Sequence, residues 1–95
     1  MKNRMSKEAI KLDMGYFFEE CKQAYFLQEP EKDFRACLIY ICRRKEHTLD
    51  EIGELVRSVR STIHKELLQI EKVLDSREDS ELKTCLTLCK LRFSC

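Results

Sequence analysis

Apolar residues recur at three- and four-residue intervals along most of this chain, and nowhere do they alternate long enough to make a strand. Ser6 followed by Lys7, Glu8 and Ala9 starts a first helix, with Ile10, Met14, Phe17, Phe18 and Cys21 along one side. "CKQAYFLQEP" predicts a short added turn whose Tyr25, Phe26 and Leu27 plug the core. Pro30 ends that segment, because the residue before a proline avoids the α region. In "EKDFRACLIYICRRKEH", Phe34, Cys37, Leu38, Ile41 and Cys42 mark a buried helix. Its acids lead and its bases trail, which suits the helix dipole at both ends.

From Thr48 onward the pattern tightens. Thr48 with Glu51 three residues later is a capping box, opening a short helix that carries Leu49, Ile52, Leu55 and Val56. "RSVRS" interrupts, and Ser58 or Ser61 stands where a cap for the next helix belongs. Ile63, Leu67, Ile70 and Leu74 then form a regular stripe. After the polar "DSREDSEL", Ser76 and its following acids start a last helix with Leu82, Cys85, Leu86, Cys89 and Phe93 turned inward. The predicted fold is all-α: one compact domain of five to six helices over residues 6–95, preceded by a flexible basic tail over residues 1–5. Only two glycines and one proline occur in 95 residues, which favours long helices joined by short turns.

Composition narrows the classes of function. The formal net charge is +1, so a nucleic-acid partner would have to meet a local basic face rather than a basic chain. The six cysteines fall mainly in apolar helical stretches, at C-x4-C and C-x3-C spacings instead of the C-x2-C of zinc sites. The charged start "MKNRMSKEAIKLD" has no apolar core of a signal peptide. Reduced, buried thiols in a cytoplasmic setting are expected, with no metal and no cofactor. No apolar run approaches ~18 residues, so no membrane span is expected. There is no glycine-rich phosphate loop and no nucleophile elbow. No catalytic residue is assigned, and the chain is not expected to be an enzyme.

The stronger candidate is a helix-turn-helix over about residues 48–74, whose second helix would enter the major groove of double-stranded DNA from a start near residue 59. From Arg57 through Lys65 there are three bases and no acid. Arg57, Ser58, Arg60, Ser61, Thr62, His64 and Lys65 populate the turn and the front of the second helix. Arg60 has the geometry for guanine O6 and N7, while Ser61 and Thr62 suit phosphates or a thymine methyl. Arg43, Arg44 and Lys45 form a second basic cluster just before the unit, placed to grip phosphates. Gly53 lets the two helices approach closely. The plainer reading is that these polar residues only solvate a helix end.

These residues also carry a resemblance. "FRACLIYICRR", "TLDEIG" and "RSTIHKELLQIEKVL" resemble successive segments of the C-terminal DNA-binding domain of the replication initiator DnaA, a Trp-repressor-like helical fold. Ile52, Gly53, Thr62, Ile63, Ile70 and Glu71 stand in register with that family. "VRSTIHK" is also similar to a helical module of some repetitive-element transposases. The resemblance implies the fold and a DNA-binding, regulatory role in replication or transposition. The chain departs from the family at the recognition helix, where Val59 and Arg60 replace an Asp-His pair, and in the preceding loop, where acidic "QEPEKD" replaces a basic segment. A rival expectation follows from that loop and the low net charge. In it the fold serves protein–protein interaction or homodimerisation, through Leu82, Leu86, Leu88 and Phe93 of the last helix. A thiol or metal sensor is a third class.

Overall fold

The structure, a computed structural model, describes residues 5–95. The chain forms five helices: α1 (Lys7–Tyr25), α2 (Pro30–Arg44), α3 (Leu49–Val56), α4 (Arg60–Asp75) and α5 (Glu81–Arg92). No strand occurs among the described residues. The expected tail falls largely on residues 1–4, outside the described residues. Met5, expected in that tail, packs half-buried against the core, and its carbonyl lies 2.8 Å from Nε2 of the buried His47.

The architecture centres on α2, which packs against all four other helices. Residues Cys37 through Cys42 are buried without interruption, so the apolar stripe expected on one face extends right round the helix. A helix apolar on all sides is stable only when enclosed. Ile10, Met14 and Phe18 of α1, Ile52 of α3, Ile63 and Ile70 of α4, Leu86 of α5 and Phe93 just after it complete the core. Five cysteines are buried, and all six are free thiols. Burial pushes the Cys42 and Cys85 thiols up to about 12, and the neighbouring Cys89 thiol together with burial pushes Cys37 up as well. They therefore act as small apolar fillers instead of nucleophiles.

Local signals explain most helix ends. Ser6 Oγ accepts from Ala9 N at 3.1 Å to start α1, and Ser80 Oγ accepts from Lys83 N at 3.1 Å to start α5. The expected start of α5 at Ser76 is corrected: Ser76 instead ends α4, its N–H bonded to the Lys72 carbonyl at 3.0 Å. Lys83 reaches back from α5 to the Ser76 carbonyl, which ties the connection down.

The junction of α1 and α2 also differs from expectation. α1 runs unbroken to Tyr25 and stops at Phe26, which adopts left-handed φ 51°. Tyr25 and Phe26 are 54% and 80% exposed, and only Leu27 packs against the core. α1 outruns its packing partners after Cys21, its last buried residue. Pro30 opens α2 at the first helical position, where a missing N–H costs nothing.

α2 has no side-chain cap of its own. Glu81 of α5 supplies one from outside, accepting from Gln28 N at 2.6 Å and Glu29 N at 2.9 Å. Asp33 is buried beside it, and burial, followed by the Glu81 carboxylate, raises its pKa to about 7. The acidic "QEPEKD" segment is thus an inter-helix fastening between α2 and α5.

Candidate nucleic-acid interface

α3 and α4 are joined by three residues, Arg57–Val59. The capping box is present in full: Glu51 N donates to Thr48 Oγ1 at 3.1 Å, and Thr48 N donates to Glu51 Oε1 at 2.9 Å. α3 ends when Arg57 takes a left-handed conformation, φ 58°, which disfavours a residue bearing a Cβ. The N–H groups of Arg57 and Ser58 both turn back to the Gly53 carbonyl, the latter at 2.9 Å. A Cβ on Gly53 would sit 2.4 Å from the Ser58 carbonyl oxygen. Glycine is therefore required here by close approach, as the sequence suggested, although its neighbour is the turn backbone before it is α4.

Arg35 of α2 fastens this turn from beneath. Its guanidinium donates to the Val56 carbonyl at 3.1 Å and to Ser58 Oγ at 2.7 Å. It also forms a two-point pair with Glu66 of α4, at 3.0 and 2.9 Å. One side chain thus joins α2, the turn and α4. Sequence reasoning missed Arg35; the available signal was a lone cation inside "DFRACLIY", next to residues read as core. It also misjudged the caps. Ser58 receives Arg35 instead of capping α4, and Ser61 lies within the helix. The capping position belongs to Val59, which has no side-chain acceptor. The first amides of α4 therefore face outward with no acid in the first turn.

The expected interface residues divide into groups. Arg43 and Arg44 of α2 and His64 of α4 line one shallow depression. His64, Arg60 and Ser61 line the adjoining one, and Leu49 belongs to both. The structure therefore brings Arg43 and Arg44 alongside Arg60 through His64, although they are far apart in sequence. Arg43 Nη1 also donates to the His47 carbonyl at 3.0 Å, which holds it against the loop before α3. Arg57 and Thr62 are exposed at the turn and the first turn of α4. Lys65 is exposed but lines a different groove with Arg35 and Glu66, and Lys45 is the half-buried cap of α2.

Acids border this surface without covering it. Asp50 of α3 lies 3.8 Å from Arg60, both side chains more than two-thirds exposed, a separation and exposure at which an ion pair is weak. Glu46 and Glu71 line the Arg43 depression. Glu29, Glu31 and Asp33 line other grooves, away from it. Among the described residues, no group of three or more histidine, cysteine, aspartate or glutamate side chains is arranged to hold a metal ion. No helix is long and apolar enough to cross a membrane. Of the four residues expected to face a partner at the last helix, Leu86 and Phe93 are 0% and 4% exposed and belong to the core, whereas Leu82 and Leu88 are half-buried. Compared with family models, curated proteins and solved structures, the chain matches none of them.

Proposed function

We propose that this chain binds double-stranded DNA, with α3, its turn and α4 acting as a helix-turn-helix. The reading rests on one observation above all. Arg43, Arg44, His64, Arg60 and Ser61 share a continuous surface beside the uncapped, acid-free N-terminus of α4. Exposed backbone N–H groups at a helix start attract phosphate, and flanking cations add salt-dependent affinity. Arg43 and Arg44 would position the domain on the phosphate backbone, and Arg60 would read base edges in the major groove. The rigid Arg35 clasp favours the same reading, because a reading helix needs a fixed angle to its scaffold. The resemblance to the DnaA C-terminal domain supports a regulatory role, in replication or transposition.

The test is fluorescence anisotropy with labelled duplex DNA across a range of salt. Affinity should fall as salt rises, and losing one phosphate contact in Arg43→Ala should reduce the logarithmic slope by about one. Arg60→Ala should cost about 1–3 kcal/mol on the preferred sequence and less elsewhere. A folded wild-type protein with no salt-sensitive binding at low ionic strength would falsify the proposal.

A further inference from the structure

α1 carries a second face that the core does not use. Glu8, Leu12, Gly15, Glu19 and Lys22 follow at alternating four- and three-residue steps, the spacing that keeps side chains on one seam of a helix. Leu12 and Tyr16 are 64% and 67% exposed. Gly15 lies between them in a depression of about 640 Å³, whose far wall is Phe34 of α2 and Leu55 of α3. A Cβ on Gly15 would meet nothing within 4 Å. A glycine inside a helix costs stability relative to alanine, and here nothing within the monomer requires it. The open space suits the close approach of another backbone.

The charges on the seam identify that backbone. If two copies of α1 pack antiparallel about a two-fold axis at Gly15, each residue faces the one equally far on the other side. Lys11 then faces Glu19 of the second copy, and Glu8 faces Lys22. The axis repeats both pairs, so every charge on the seam meets its opposite. Lys11 makes no ion pair within its own chain among the described residues; Glu19 meets Lys22 at 3.6 Å with both side chains exposed, and Glu8, itself exposed, pairs with the half-buried Lys7 at 3.3 Å. A self-complementary patch of this kind is what an isologous contact needs.

We propose that a second copy of this chain docks antiparallel on α1, crossing at Gly15, with Leu12 and Tyr16 of each copy covering the other's depression. The proposal is independent of DNA binding. Sedimentation equilibrium from roughly 1 µM to roughly 500 µM tests it. Wild type should show a monomer–dimer equilibrium. Lys11→Glu and Glu19→Lys should each weaken it about tenfold or more by setting like charges together. An equimolar mixture of the two variants should restore association, because each reversal meets the other across the axis. Gly15→Ala should raise the melting temperature of dilute protein while weakening the dimer. Circular dichroism checks that each variant keeps its helices. A wild type that stays monomeric throughout overturns the proposal, as does a mixture that associates no better than either variant alone.

Discussion

Arg35 and Arg60 serve the same three-residue turn from opposite sides. Arg35 spends its guanidinium on four hydrogen bonds, to Val56, Ser58 and twice to Glu66, with its side chain about one-third exposed. Arg60 stands 68% exposed, with only the distant Asp50 carboxylate nearby. The first is part of the scaffold, with four of its five N–H donors committed to it. The second keeps nearly all of its donors. The same contrast separates the acids: Asp33 and Glu81 are locked between α2 and α5, whereas Asp50 is solvated. Polar groups under the unit hold it in shape, and those on its front remain available for binding.

Four measurements would break or sharpen this contrast. The largest effect belongs to Asp33. An aspartate in the unfolded chain loses its proton near pH 4, whereas in the fold Asp33 keeps its proton to about 7. Its contribution to stability is therefore full below about pH 4 and is lost as pH rises to about 7. Chemical denaturation should show wild type losing on the order of 3–4 kcal/mol from this group across that window, and Asp33→Asn should flatten the profile. Glu81, whose carboxylate is held below its usual range by Asp33 and the Gln28 and Glu29 amides, acts with the opposite sign at lower pH.

Next comes Gly53→Ala. The added methyl meets the Ser58 carbonyl, a backbone atom that cannot swing aside, so a loss of about 3 kcal/mol is expected in urea unfolding. Arg35→Ala should cost about 2 kcal/mol, since it leaves the Val56 carbonyl and Glu66 without their partner. It should also weaken DNA binding indirectly, by loosening the angle of α4. Arg60→Ala is the smallest: less than about 0.5 kcal/mol in stability, as befits an exposed side chain, with its effect appearing in DNA affinity instead. If Arg60→Ala destabilised the fold as much as Arg35→Ala, the division between scaffold and front would be wrong.

Much of the fold was legible in the sequence because its signals act over three or four residues. The Thr48–Glu51 box, the Ile63–Ile70 stripe and the inward Cys85, Leu86 and Cys89 depend only on helical spacing and local hydrogen bonds. Gly53 was legible too, since a lone glycine beside a turn signals close approach. The errors came where two elements compete for one residue. Ser58 looked like a cap and is taken by Arg35; Ser76 looked like a start and ends α4. Tyr25 and Phe26 looked like core, but the helix bearing them passes beyond its neighbours.

The candidate site divides along the same line. Sequence by itself determined that Arg60, Ser61 and Thr62 sit at an acid-free helix start, because those residues are neighbours in the chain. It also determined the periodicity that makes the protein all-helical. Only the tertiary structure decided that Arg43 and Arg44 join Arg60 through His64, that Lys65 lines a groove with Arg35 and Glu66, and that Leu86 and Phe93 are spent in the core. Helical spacing tells which residues share a face of one helix. Which faces meet, and which remain open, depends on how five helices enclose α2 and one another, and that packing is settled by contacts between residues distant in sequence.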